Sequence, residues 1–163
     1  MRVGARIAVS APPELVWEAV TDPDRYLHFM AGVTRWEVAG ERRRGLGARY
    51  RMLMRVGSAE VGGLVEVVEF AAPGDLAWAS VTGIDQRGRW RLRARPDGRT
   101  TVELRLSYGV AGAGILGWLS EQVAAPTVRG HLSRSLAQLK RQVEHEQGRR
   151  AAARRRGADV SAT

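Results

Sequence analysis

Residues 33–110 constrain this chain most. They break into six segments, 33–39, 48–56, 61–70, 76–83, 88–95 and 100–110, each apolar at alternate positions and each closed by Gly, Pro or Asp. A period of two sends successive side chains to opposite faces of a strand, so six such segments in a row predict an antiparallel meander. The clearest pair is joined by Pro96-Asp97-Gly98, where proline fixes φ and glycine accepts positive φ. Trp90, Leu92 and Ala94 then share an apolar face with Val102, Leu104, Leu106 and Tyr108, while Arg89, Arg91, Arg93 and Arg95 oppose Glu103, Arg105 and Ser107. One sheet face is predicted dry, the other wet and cross-paired.

The flanks read differently. Residues 2–10 alternate Val3, Ala5, Ile7 and Val9 against Arg2, Gly4 and Arg6, which predicts a first strand. Ser10 is placed to cap a short helix with Pro12 and Pro13 in its first turn and an apolar stripe at Leu15, Val16, Ala19 and Val20. Asp22-Pro23 starts a second helical turn carrying Tyr26, Phe29 and Met30. After Gly117 a long helix is predicted to about Glu146, with Leu132, Leu136, Leu139 and Val143 as its buried stripe and a kink or break at Pro126. A chain of 163 residues supports one core. The expectation is therefore an α+β domain over 1–146, a seven-stranded antiparallel sheet wrapped around a long C-terminal helix with two short helices after strand 1.

Residues 147–163 carry Arg149, Arg150, Arg154, Arg155 and Arg156 against the single acid Asp159, and are expected to form a disordered basic tail. That tail holds about four of the nine net positive charges. With Lys140 the sole lysine, an overall arginine bias accounts for the charge better than a nucleic-acid or ribosome contact through the tail does. The chain has no cysteine, which excludes disulfides, thiolate zinc sites and cysteine nucleophiles and fits a reducing cytoplasm, the expected location. The longest apolar stretch, 110–119, contains three glycines and is about half the length of a membrane span. The N-terminus lacks the apolar run of a secretory signal.

Three segments carry a family likeness: RIAVSAPPELVWEAVTDPDRYLHFMAGVTRWEV at 6–38, WRLRARPDGRTTVELRLSY at 90–108 and LSRSLAQLKRQVE at 132–144. Together they resemble the START-like superfamily, the helix-grip fold of polyketide cyclases, lipid-transfer domains and Bet v 1-like proteins, over about residues 1–146. The resemblance implies a cavity between the sheet and the last helix that takes a hydrophobic small molecule such as a lipid, polyketide or quinone. It also implies two alternatives: a polyketide cyclase or dehydrase, and a coenzyme-Q-binding or ribosome-associating protein, whose branch the DPDRYLHFM stretch also resembles.

The apolar face suits such a cavity, because methionine adapts its shape while Trp and Tyr offer flat surface with one polar handle. The candidate lining is Phe29, Tyr50, Met52, Met54, Trp78, Ser80, Trp90, Leu92 and Tyr108, with Trp118, Leu119 and Val123 added from the last helix by the resemblance, and Ser80 or a tyrosine hydroxyl orienting the ligand. No catalytic residue, cofactor or metal is expected. Gly112 to Gly117 matches G-x-G-x-x-G, but no second parallel strand or ribose-binding acid follows, so these glycines are read as freedom at the cavity mouth. His28, His131 and His145 lack metal-ligand spacing, and His131 is expected to be exposed. Some aromatase/cyclase relatives use interior arginine and tyrosine; here alternation puts Arg49, Arg51 and Arg55 on the face opposite Tyr50. Glu66 and Glu69 have opposite parities on their strand, so one of them could point inward, although exposure is expected of each.

Overall fold

The alternating segments pair as their parities require. The computed structural model describes residues 2–109 and 114–161, the side chains of 114–124 and 159–161 excepted. In chain order the elements are β1 (Arg2–Val9), α1 (Pro13–Thr21), α2 (Tyr26–Phe29), β2 (Val33–Val38), β3 (Arg49–Val56), β4 (Ala59–Ala71), β5 (Asp75–Ser80), β6 (Asp85–Ala94), β7 (Thr100–Gly109) and α3 (Gly114–Ser161). The strands form one sheet in the order β1-β7-β6-β5-β4-β3-β2, with every neighbouring pair antiparallel. The sheet curls over α3, which packs mainly against β1.

Local chemistry explains the boundaries. The β6–β7 turn is closed by Arg95 N–H on the Arg99 carbonyl at 2.8 Å, and Gly98 takes φ +78° as its place in the turn demands. Asp22 Oδ1 accepts the Asp24 amide at 3.0 Å and starts the turn that leads into α2. Ser10 does not cap α1: Pro12 occupies the cap position, and the Ser10 amide instead donates to Glu144 on α3 at 2.8 Å.

The stripe on α3 is buried as its spacing requires, with Leu132, Leu136, Leu139 and Val143 no more than 1% exposed. At Pro126 the helix runs on without a break, and one expectation needs correcting: it continues past Gly148 through the basic segment to Ser161. Ala151, Ala152 and Ala153 are strong helix formers, and Arg150 pairs with Glu146 one turn earlier at 2.6 Å, so the solvated end gains helix without gaining a core. Val143 is its last buried residue among those described. Among the described residues, no helix is long and apolar enough to cross a membrane.

The wet face of the sheet is paired, but across different strands from those expected. Arg89 bonds Glu69, and Asp75 gathers Arg91 and Arg93 at 3.4 and 2.8 Å, while Glu103 pairs with Arg105 on its own strand and with Arg6. In the β6–β7 register Arg89 stands directly opposite Arg105, so its acid comes from β4, whereas Arg91 faces Glu103 across that pair yet turns its guanidinium to Asp75 of β5.

Candidate functional site

The dry face carries a stack of three rings from three elements. Trp36 of β2 lies between Tyr26 of α2 and Tyr50 of β3, with centroids at 3.9 and 4.8 Å and planes within 22° of parallel. The Tyr26 hydroxyl accepts the indole N–H of Trp90 at 3.0 Å, and the Tyr50 hydroxyl donates to the Arg43 carbonyl at 2.6 Å. Burial drives the Tyr26 phenol far above its ordinary pKa, outweighing the bond from Trp90; burial also raises Tyr50, against the pull of Arg44 and Arg43. Both rings stay neutral at any physiological pH.

Two small voids flank this stack. One, of about 20 Å³, lies beneath α1 and the 39–48 loop and is bordered by Tyr26, Trp36, Tyr50, Val67 and Trp78. The other, of about 10 Å³, lies toward α3 between Met30, Met52, Met54, Leu104 and Leu132, and again touches Trp36 and Trp78. Neither has room for more than a water-sized group. The hollow expected here is thus nearly filled across the described part of the interior.

Four of the expected lining residues, Tyr50, Met52, Met54 and Trp78, come together at these voids. Phe29, Trp90 and Leu92 are buried, but Phe29 packs its ring against Tyr26 and edge-on to Trp90, and none of the three borders either void. Tyr108 is partly buried at the end of β7. Ser80 is misplaced by the expectation: its hydroxyl accepts the Gln86 amide at 3.1 Å and sits 3.4 Å from Asp85, so it closes the β5–β6 turn. The side chains of Trp118, Leu119 and Val123, and the Gly112–Ala113 start of the glycine motif, lie outside the described residues.

The sequence reading missed Trp36, Tyr26 and Met30 as lining, and Gln86 as the inward polar group. Gln86 is 5% exposed on the dry face, and its side-chain nitrogen lies 3.7 Å from the Met52 sulfur. Its parity with Trp90 and Leu92 was the available signal; β6 starts three residues earlier than the alternation from Gly88 suggests. Gly88 also has a purpose, because Trp78 lies over it so closely that a Cβ there would stand 1.9 Å from the indole.

The polar candidates fall outside this interior. Arg49, Arg51 and Arg55 are exposed on the wet face, and His28 is exposed on α2. A bulge between Val67 and Glu69 turns both glutamates outward despite their opposite parities, and they pair with Arg49 and Arg89. His131 is partly buried rather than exposed. Its ring covers Gly32, with Nε2 at 2.9 Å from the Arg55 carbonyl and Nδ1 at 2.7 Å from the Arg134 guanidinium, so a helix side facing polar neighbours is packed against the α2–β2 turn.

A curled seven-stranded antiparallel sheet closed over one long C-terminal helix defines a START-like, helix-grip protein. The chain belongs to the polyketide cyclase/dehydrase and lipid-transport family, whose model matches residues 1–144. Solved structures share the fold. A protein of Thermus thermophilus is 23% identical, with 88% of this chain and 97% of that one covered and a TM-score of 0.75. A START superfamily protein of Mycobacterium smegmatis is 16% identical, with 87% and 98% covered and a TM-score of 0.69. The Zhui aromatase/cyclase of a Streptomyces species is 22% identical, with 93% and 95% covered and a TM-score of 0.65. No curated protein matches the chain.

Proposed function

We propose that this protein is a non-catalytic binder of a hydrophobic small molecule, lipid-, polyketide- or quinone-like, held between the curled sheet and α3. The observation that carries the reading is the make-up of the dry face. Met30, Met52 and Met54 converge beside a stack of three flat rings, where a core built for stability alone would use branched aliphatics of fixed shape. Unbranched thioethers change rotamer at small cost, so they can yield the volume a ligand needs. Each Å² of apolar ligand surface taken from water then contributes about 25 cal/mol. Gln86, whose side-chain nitrogen donates to a sulfur, is the polar handle we assign in place of Ser80.

The enzymatic alternative, suggested by the aromatase/cyclase among the structural relatives, needs a group able to move a proton beside the substrate. Among the described residues the two voids are bordered by no arginine, histidine or carboxylate, which favours binding over chemistry.

The test is native mass spectrometry of protein purified from its own cells. The expected result is a co-purifying organic mass at close to one per chain, released on denaturation. Bare protein mass, unchanged after incubation with mixed lipid and quinone extracts, would overturn the reading.

A further inference from the structure

Trp36 and Trp78 carry hydrogen-bond donors that nothing among the described residues satisfies. Both side chains are buried, at 9% and 4% exposure, and neither indole nitrogen has a hydrogen-bond partner. The contrast with Trp90 is direct, because that indole donates to the Tyr26 hydroxyl at 3.0 Å. Buried donors are nearly always paired, since an unpaired one forfeits its hydration without return. Here there are two, and the side chains that carry them, Trp36 and Trp78, border the same two voids. Tyr26 borders both as well, and its hydroxyl, having accepted from Trp90, still has its own proton to give.

The larger void, about 20 Å³, has room for one oxygen-sized group. Its surroundings offer the two unpaired indole donors. The Tyr50 and Thr21 hydroxyls have given their protons to the Arg43 and Trp17 carbonyls, and among the described residues no ionised side chain lines either void. A carboxylate would be buried there without a counter-charge, whereas an oxygen that only accepts answers both indoles. A carbonyl oxygen has two lone pairs and no proton.

We propose that Trp36 and Trp78 form a recognition site for the carbonyl oxygen of a neutral, otherwise apolar ligand, with the apolar body displacing the methionine side chains next to it. This rests on the reading of the protein as a binder and narrows it: the ligand is a ketone-bearing hydrophobe, and a plain acyl chain or hydrocarbon binds more weakly.

The probes are 1-tetralone and tetralin, which share a bicyclic body and differ by C=O against CH₂. Affinities come from titration calorimetry, and the indole N–H signals from ¹H–¹⁵N spectra, in which Trp36→Phe and Trp78→Phe each delete and so assign one signal. In the unaltered protein the ketone binds about tenfold more tightly than the hydrocarbon and moves both indole signals downfield. Either Trp→Phe change cuts the ratio of ketone to hydrocarbon affinity several-fold, whatever it does to the affinity for tetralin itself. Equal affinity for the two probes with unmoved indole signals overturns the carbonyl site and leaves the hydrophobic binder standing. Failure of both probes to bind overturns the binder reading and the site with it. Should either variant fail to fold, the two probes on the unaltered protein decide alone.

Discussion

Trp90 on β6 and Tyr26 on α2, 64 positions apart, are joined by an indole-to-hydroxyl hydrogen bond of 3.0 Å. Through it the sheet fixes the ring on which Trp36 stacks, and Trp36 in turn fixes Tyr50. Four elements, α2, β2, β3 and β6, thus share one aromatic cluster, tied at one end by this bond and at the other by the Tyr50 hydroxyl on the Arg43 carbonyl.

Removing that acceptor is costly. Tyr26→Phe leaves the Trp90 N–H buried without a partner and lowers unfolding stability by about 1–3 kcal/mol. In urea unfolding, Tyr26→Phe and Trp90→Phe are non-additive, with a coupling of about 1 kcal/mol in the double-mutant cycle. Strict additivity would show that the bond contributes nothing.

Glycine-to-alanine changes have opposite signs at two sites. Gly88→Ala drives a methyl into the Trp78 ring, and destabilises by about 1–3 kcal/mol or more, because the ring is enclosed and cannot step aside. Gly148→Ala, on the exposed part of α3 with open space around it, stabilises by up to about 1 kcal/mol. Thermal and urea midpoints of the two variants check both signs.

The acid limb of stability depends on Glu144. Partial burial pulls its carboxyl upward, but hydrogen bonds from Lys140 and the Ser10 amide outweigh that and hold the pKa below the ordinary glutamate range. A folded-state pKa below the unfolded one means the contribution is complete above about pH 4.5 and is lost as pH falls through the folded value. Glu144→Gln therefore lowers stability at pH 7 and flattens its fall below pH 4.5. Parallel curves for the two proteins over that range would contradict the assignment.

Truncation after Gln147 leaves the fold intact. The segment removed adds no buried residue among those described, and its ion pair from Arg150 to Glu146 is solvent-exposed, so the unfolding midpoint corresponds to a change within about 0.5 kcal/mol. Affinity for RNA or ribosomes, measured with and without these arginines, tests the tail separately; a loss on truncation would establish the nucleic-acid reading that the arginine bias argues against.

Much of the fold was legible because burial periodicity is local. Val3, Ala5, Ile7 and Val9, the Trp90–Tyr108 hairpin and the Leu132–Val143 stripe each declare a face within one element, and the exposure of Arg49, Arg51 and Arg55 follows from the parity of Tyr50. Glu66 and Glu69 were not legible in the same way, since one extra residue at the Val67–Glu69 bulge reverses parity and alternation cannot say where a bulge falls. Ser80 misled because its strand ends there, and a residue at a strand end answers to its turn.

The amino-acid sequence by itself determined which residues form strands and helices and which face of each is dry, because those choices depend on neighbours two to four positions away. Only the tertiary structure decided that the described part of the interior is nearly filled, that Trp36 stands between two tyrosines, and that among the described residues its indole and that of Trp78 are left without acceptors while Trp90 has one. These are distances between side chains on different elements, set by how closely the sheet curls onto the helices, and no single element carries that information.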